Sequence, residues 1–158
     1  MAFDFSPRDA VSWVARKGGK RMTIYLVEDD AAIAEALAEH LRSWGYSCFV
    51  AEDFRDITGE FQRIQPHLVL LDLILPFYNG FHWCQEIRKI SQVPILFLSS
   101  ASDNLNILMA IQMGGDDFLA KPFDRNILVA KVQALLRRAY DFAPNPEVLT
   151  CGPLRLRL

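Results

Sequence analysis

Short apolar runs alternate with segments of helical periodicity along most of this chain. The run at 68–71 has no polar face, which is typical of a strand buried on both sides of a parallel sheet. Between the runs, apolar residues recur at helical spacing behind cap and stop signals, as where Asp30 precedes one segment and Gly45 ends it. The pattern predicts strands at 23–27, 46–50, 68–71, 95–98 and 116–120, and helices at 30–44, 54–64, 80–87, 103–113 and 124–138.

Five strands alternating with five helices predict an α/β fold. The expected architecture is a doubly wound, five-stranded parallel sheet with helices on both faces and right-handed crossovers. A length of 158 residues, of which 51% are hydrophobic and 23% charged, fits one domain of ordinary size with a little chain left over. Such a sheet binds its ligand beyond the carboxyl ends of its strands, so the site is expected at that edge.

Charged and hydroxyl side chains directly follow four of the predicted strands. Glu28 and Asp29 end the first, Asp72 the third, Ser99 the fourth and Lys121 the fifth. Any one of them alone is explained as a helix cap or a surface charge. Because the carboxyl ends of parallel strands meet at one edge, the set predicts a site where carboxylates and an ammonium handle a divalent metal and a phosphoryl group.

Charge and cysteine content argue against several other classes of protein. The net charge of −2 gives no reason to expect that the chain as a whole binds nucleic acid or a membrane. No apolar run approaches the roughly 18 to 20 residues of a membrane span. Three cysteines without a CxxC pair indicate reduced thiols in a cytoplasmic protein, and nothing marks the three histidines as ligands. These residues are Cys48, Cys84, Cys151, His40, His67 and His82.

Both ends of the chain are expected to lie outside the domain, which we place at 22–140. Residues 1–21 form an N-terminal extension, in which Ser6-Pro7 and Gly18-Gly19 are the start and stop signals of a short helix without an assigned function. Residues 141–147 have the composition of a linker. In 148–158, leucines and arginines alternate, which predicts a half-buried strand that needs more chain to be stable.

The motifs at the strand ends resemble the receiver domain of bacterial two-component response regulators. The resemblance covers roughly residues 22–140 and implies the strand order 2-1-3-4-5. Each piece alone is weak, but the ordered set is highly specific. The matching pieces are LVEDD at 26–30, LLD at 70–72 with Pro76 and Gly80 four and eight residues beyond the aspartate, LSS at 98–100, and GGDDFLAKPF at 114–123.

The resemblance implies that Asp72 takes a phosphoryl group from a phosphohistidine on a sensor histidine kinase. The product is an aspartyl phosphate, and the protein is not an enzyme that turns over an external substrate. The crowded carboxylates of Glu28, Asp29 and Asp72 are expected to hold Mg²⁺, which prefers oxygen ligands. The family adds the backbone carbonyl of Ile74 as a further ligand.

Other matching residues are expected to act on the phosphoryl group and to transmit its arrival. Lys121 would supply a positive charge and Ser99 a hydroxyl donor, and the family implies a cis bond before Pro122 that turns the ammonium inward. Phosphorylation would draw Ser99 toward the phosphate and let Phe118 move inward, which remodels the face made by the predicted helix 103–113, the fifth strand and the last helix. From its position alone, Phe118 fits an ordinary core role equally well.

The predicted helix 103–113 carries apolar stripes on two opposite sides. Its own sheet covers one stripe, so the other is expected to join a homodimer face together with the fifth strand and the last helix. Met109 and Ile127 stand where the winged-helix subfamily of response regulators would have charged partners, which favours a more apolar interface. Residues left for ion pairs are Asp116, Asp117, Lys131, Arg137 and Arg138.

The strand predicted after the linker resembles the opening of a winged-helix DNA-binding domain. The chain is therefore expected to be a truncated response regulator of the OmpR/PhoB type, which reads DNA only through the missing part of that domain. A stand-alone receiver or phosphorelay protein is the alternative, although the extra strand speaks against it. A flavodoxin-like binding or hydrolase domain would share the fold without needing the four charged residues.

Overall fold

A five-stranded, wholly parallel sheet forms the centre of the computed structural model, which describes residues 16–17, 20–100, 108, 112 and 114–141. The strands are β1 (Thr23–Val27), β2 (Ser47–Val50), β3 (Leu68–Asp72), β4 (Ile95–Ser99) and β5 (Asp117–Ala120). They lie in the order β2-β1-β3-β4-β5. The predicted α/β fold and its 2-1-3-4-5 order are confirmed.

Each described helix begins at a polar cap residue whose side chain accepts a hydrogen bond from a backbone N–H of the first turn. The cap predicted at Asp30 is confirmed, and three more follow the same rule. The last helix continues into a π-helical turn, Arg137–Asp141. The helices, with their caps, are α1 (Ala31–Ser43, Asp30), α2 (Ile57–Ile64, Asp56), α3 (Gly80–Arg88, Asn79) and α4 (Arg125–Leu136, Asp124).

The three central strands divide their side chains between two core layers. Successive residues of a strand point to opposite faces, and here both faces are covered by helices, so every second residue packs on each side. Residues toward α1 and α4 are Ile24, Leu26, Leu68, Leu70, Leu96 and Leu98, and those toward α2 and α3 are Tyr25, Val27, Val69, Leu71, Ile95 and Phe97. This two-sided burial positions the ends of β1, β3 and β4, where Glu28, Asp72 and Ser99 lie.

Several predicted boundaries need correction. Helix α2 begins at Ile57 rather than at residue 54 because Asp53 forms a turn, its carboxylate accepting from the Arg55 N–H at 3.0 Å, and Asp56 caps the helix. Strand β5 begins one residue later than predicted, because Asp116 turns its side chain to the backbone N–H of Ile95. Strand β2 likewise begins at Ser47 rather than at residue 46.

Other predictions fall partly or wholly outside the described residues. Arg16–Lys17 pairs with Lys20–Arg21 as short antiparallel strands, so the predicted N-terminal helix does not reach residue 17, while residues 1–15 lie outside the description. Of the helix predicted at 103–113, only residues 108 and 112 are described, and both are helical. Met109 and residues 142–158 are not described. Within the described part, no helix has the length and apolar character to cross a membrane.

Candidate functional site

The four predicted strand ends meet at one edge of the sheet. Glu28 and Asp29 directly follow β1, Asp72 is the last residue of β3, Ser99 the last of β4, and Lys121 follows β5. Strand β1 lies between β2 and β3. Strand β2 is added on one side of β1 and all later strands on the other side, so the strand order reverses at β1. This is the place where doubly wound sheets bind ligands. The structure therefore brings to one edge all five residues that the sequence places at strand ends.

Three carboxylates form the acidic part of the site. Glu28, Asp29 and Asp72 each offer an oxygen, and these three oxygens lie within 4.8 Å of one another. The Glu28 and Asp72 residues are only 2% and 4% exposed, whereas Asp29 is exposed to solvent. Two nearly buried carboxylates therefore lie beside a third that is open to solvent.

The Lys121 ammonium lies against two of these carboxylates. Its Nζ is 2.5 Å from Glu28 Oε1 and 2.9 Å from Asp72 Oδ2. The backbone N–H of Lys121 donates to the carbonyl of Ser99 at 2.7 Å, which ties the residue to the end of β4. The predicted cis peptide between Lys121 and Pro122 is confirmed.

The pKa values in the site show how the charges are balanced. Burial raises the pKa of Glu28, and the Asp72 charge adds to that rise, while the Lys121 ammonium and the Asp30 N–H act against it. Burial by itself lowers the pKa of Lys121, but hydrogen bonds and charges from Glu28 and Asp72 outweigh it, so this pKa is raised. One ammonium faces three carboxylates, which leaves two negative charges when all are ionised.

The donor set fits Mg²⁺. Mg²⁺ takes oxygen ligands at about 2.0–2.1 Å in octahedral geometry, so oxygens on opposite sides of the ion are about 4 Å apart. The three carboxylate oxygens lie within 4.8 Å of one another, and three carboxylates beside one ammonium leave two negative charges, which a divalent cation would balance. The site can therefore hold this ion through Glu28, Asp29 and Asp72.

The loop between β3 and α3 forms one wall of the site. The N–H of Ile74 donates to Asp72 Oδ1 at 3.2 Å, which holds the second oxygen of that carboxylate. Further along, the Tyr78 N–H donates to the Pro76 carbonyl at 2.8 Å, and Phe77 between them has φ of 70°. A positive φ in a bulky residue is uncommon and marks a strained turn, here close to the functional edge.

Sequence reasoning missed a contact that covers this loop. The guanidinium of Arg55, from the loop between β2 and α2, lies 4.2 Å from the centre of the Phe77 ring, which is itself largely exposed. The Asp53-Arg55 turn was a usable local signal, because an aspartate often accepts from the N–H two residues on. The partner of Arg55 could not be predicted, because it lies in another loop.

Residues predicted for the switch and the dimer face have separate surroundings. Ser99 is fully buried, and Phe118 is half-buried against the core layer under α2 and α3. Asp117 Oδ2 accepts from Lys131 Nζ at 2.9 Å within the chain. Ile127 is 51% exposed on α4. Asp116 is also paired within the chain, at 2.9 Å from Arg88 Nη2.

Comparisons with known proteins agree on one family. The model of the response regulator receiver domain matches residues 24–133. A transcriptional regulatory protein of Bacillus subtilis, YvcP, is 49% identical over 123 residues, which cover 77% of this chain and 52% of the relative. The response regulator GraR of Staphylococcus aureus is 43% identical over 126 residues, covering 80% and 56%. The chain thus spans about half the length of these relatives.

Solved structures give the same result. The N-terminal domain of the nisin resistance regulator NsrR is 45% identical with a TM-score of 0.68, covering 73% of this chain and 98% of that one. The BeF3-activated receiver domain of RstA from Klebsiella pneumoniae is 30% identical with a TM-score of 0.70, again covering 73% and 98%. The similarity thus extends over nearly all of each of these receiver domains.

Proposed function

The chain belongs to the response regulator receiver family, and from that premise we propose that it accepts a phosphoryl group on Asp72 from a sensor histidine kinase. Phosphorylation then changes the surface that controls dimerisation and transcription. The observation that carries this proposal is the contact of Lys121 with both Glu28 and Asp72 beside a third carboxylate. This set brings a carboxylate nucleophile, oxygen ligands for a metal and a cation to one edge of the sheet.

Asp72 is the group that reacts. One of its carboxylate oxygens forms a bond to phosphorus while the bond from phosphorus to the histidine nitrogen of the kinase breaks. The bonding electrons stay on that nitrogen, which then takes up a proton. Both Asp72 oxygens have defined partners, the Ile74 N–H and the Lys121 ammonium, so the carboxylate is oriented before the donor arrives.

Phosphoryl transfer first requires that the negative charge of the site is neutralised, because the incoming phosphoryl group is itself anionic. Glu28, Asp29 and Asp72 would hold Mg²⁺, with the backbone carbonyl of Ile74 as a further ligand. When bound, the ion offsets negative charge on the site and on the phosphoryl oxygens. Lys121 adds a positive charge at Asp72 Oδ2, and Ser99 would donate its hydroxyl.

Transmission of the signal is proposed to run through Ser99 and Phe118. These residues lie on adjacent strands, where Ser99 is paired with Ala120 and Phe118 with Phe97. Ser99 is fully buried, whereas Phe118 is only half-buried, so an inward movement of the ring would bury more of it. Phosphorylation would then shift a pre-existing equilibrium toward the inward state.

The output is proposed to be a homodimer that acts on DNA. Within the chain, Asp116 and Asp117 already pair with Arg88 and Lys131, so contact between subunits would rest on Met109 and the exposed Ile127 more than on ion pairs. The match covers only 52% of the relative YvcP, which is a transcriptional regulatory protein. That supports a winged-helix domain beginning at 148–158, in a cytoplasmic protein, over a stand-alone receiver.

The test is incubation of the full chain with acetyl phosphate and Mg²⁺, followed by intact mass. We expect one added phosphate on the parent, none without Mg²⁺ and none on Asp72→Ala. Asp53→Ala is the matched control, because Asp53 is an exposed aspartate on a neighbouring loop and should leave phosphorylation unchanged. A phosphate that persists on Asp72→Ala would remove Asp72 from its proposed role.

A further inference from the structure

The first residue of α3 lies directly against the backbone of Asp72. A Cβ atom on Gly80 would be 2.3 Å from the carbonyl oxygen of Asp72, 2.9 Å from the Cα of Leu73 and 3.0 Å from the carbonyl carbon of Asp72. Side chains do not tolerate such distances, and all three atoms belong to the backbone. Because the φ of Gly80 is not in the left-handed region, it is the close approach that requires glycine here and not an unusual conformation.

Hydrogen bonds hold both sides of this contact in place. The Gly80 N–H donates to the Leu73 carbonyl at 2.8 Å, which closes the loop between β3 and α3 into a ring. The Leu73 N–H donates to the Leu98 carbonyl at 3.0 Å, which continues the pairing of β3 with β4. A methyl group on Gly80 could therefore be accommodated only by withdrawing the start of α3 or by rotating the Asp72–Leu73 peptide.

Either movement would change the position of the Asp72 carboxylate or of the groups that hold it. Asp72 is held through Lys121 Nζ at 2.9 Å and the Ile74 N–H at 3.2 Å, and Ile74 lies in the same closed loop as Gly80. A displaced backbone at Asp72 changes both distances, and it also changes the spacing of the three carboxylate oxygens. Groups that orient metal ligands without touching the metal typically change metal affinity or activity by about 10- to 100-fold when altered.

We propose that Gly80 is a positioning residue, whose missing side chain sets the backbone of Asp72 at the place that Mg²⁺ binding and phosphoryl transfer require. This inference rests on the function proposed above. It assigns the glycine a role in the site rather than in the helix alone.

Gly59 provides a matched control from the same fold. It lies in the first turn of α2, where a Cβ would be 2.2 Å from Asp56 Oδ2, but that atom is the end of a side chain that can rotate away. The two glycines thus share a position near a helix start and differ in whether a methyl group meets backbone or side chain. Gly59→Ala measures the cost to a helix start without disturbing Asp72.

The experiment compares Gly80→Ala and Gly59→Ala in the full chain. We expect Gly80→Ala to weaken Mg²⁺ binding by calorimetry, and to slow phosphorylation by acetyl phosphate, by about tenfold or more, with Gly59→Ala staying within about twofold of the parent. Without metal, the Ile74 amide resonance should shift in Gly80→Ala and remain in Gly59→Ala, since that amide donates to Asp72.

A folded Gly80→Ala with the affinity, rate and Ile74 resonance of the parent would overturn the proposal. Equal losses in both variants would overturn it too, because the loss would then follow helix stability. A parent that neither binds Mg²⁺ nor accepts phosphate would instead contradict the proposed function. If Gly80→Ala does not fold, amide exchange in the parent decides: Mg²⁺ should slow exchange at Gly80 more than at Gly59, and an equal response at both overturns the inference.

Discussion

Two polar clusters lie at opposite edges of the same sheet and differ in how their charges are balanced. At the amino edge, before β4 and β5 begin, Arg88 of α3 pairs with Asp116 at 2.9 Å. At the carboxyl edge, the Lys121 ammonium faces the three carboxylates of the acidic site. Each cluster combines a buried or half-buried charge with an exposed carboxylate, yet only the first is neutral by itself.

The charges of the Arg88 cluster are paired within the chain and stabilise the fold. Besides Asp116, the guanidinium donates to the carbonyls of Gly114 at 2.9 Å and Val93 at 2.6 Å, and Asp116 Oδ2 also accepts from the Ile95 N–H at 2.8 Å. Gly114 has φ of 101°, and a Cβ there would lie 3.1 Å from the Arg88 Cγ. One positive and one negative charge with backbone partners on every side favour the folded state and need no ligand.

The acidic site has the opposite character. Its two excess negative charges have no compensating cation within the part of the chain that the structure describes, and the raised pKa of Glu28 shows that its ionised form is disfavoured there. The comparison teaches that a charge cluster balanced within the chain contributes to the fold, whereas an unbalanced one marks a place that a cationic ligand would complete. Such sites commonly trade stability for function.

The largest expected effect separates Lys121 from Lys131, each of which contacts a carboxylate at 2.9 Å. Lys121→Met should slow phosphorylation by acetyl phosphate about 100-fold, because an aimed positive charge at the transferring group is lost. Lys131→Met removes the ion pair between Lys131 on α4 and Asp117 on β5, and it should leave the phosphorylation rate unchanged. Initial rates from intact mass check this. Equal rates for Lys121→Met and the parent would mean that the cation has no part in transfer.

A second prediction tests the stability side of the comparison. Arg88→Met should lower the free energy of unfolding by about 2 kcal/mol, because Asp116 and three backbone carbonyls lose a charged donor. Asp72→Asn should not lower it, because it removes one of the crowded negative charges. Urea denaturation without metal measures both. If Asp72→Asn lowered the free energy of unfolding as much as Arg88→Met does, the charges at the two edges would contribute to stability in the same way.

The smallest effect concerns pH. A folded-state pKa of Glu28 above its ordinary 4.5 means that its contribution to stability is present below that pH and is lost as pH rises through the raised value. In metal-free urea denaturation, Glu28→Gln should therefore gain stability relative to the parent between pH 4.5 and neutral pH. Adding Mg²⁺ should reverse the order at neutral pH, because the parent retains the better cation site. A constant difference across this range would contradict the assigned cause.

Much of the fold and of the site could be predicted because the signals are local. The apolar run at 68–71 ends at Asp72, and the observed strand is Leu68–Asp72. Asp30 was predicted as a cap and accepts from the N–H groups of Ala32 and Ile33. Strand ends, caps and motif spacing depend on neighbouring residues, so they are readable along the chain.

Contacts between distant elements could not be predicted. The Tyr25 hydroxyl donates to the buried Glu60 at 2.6 Å across 35 residues, and Arg88 reaches Asp116 across 28. We expected Asp116 to be available for ion pairs at a dimer face. The sequence pattern around Asp116 does not indicate that the end of α3, with Arg88, lies beside it. Such pairs are set by how α2 and α3 pack on the sheet, which no local period encodes.

The sequence by itself determined which charged and hydroxyl side chains gather at the carboxyl edge, because a parallel α/β alternation sends every strand's carboxyl end to the same edge. Only the tertiary structure decided the distances there: the ammonium of Lys121 between two carboxylates, and the backbone of Asp72 against Gly80. The physical reason is the separation along the chain over which each interaction acts. Periodicity and capping act over a few residues, whereas charge balance and close packing depend on groups that meet only when the sheet and its helices have assembled.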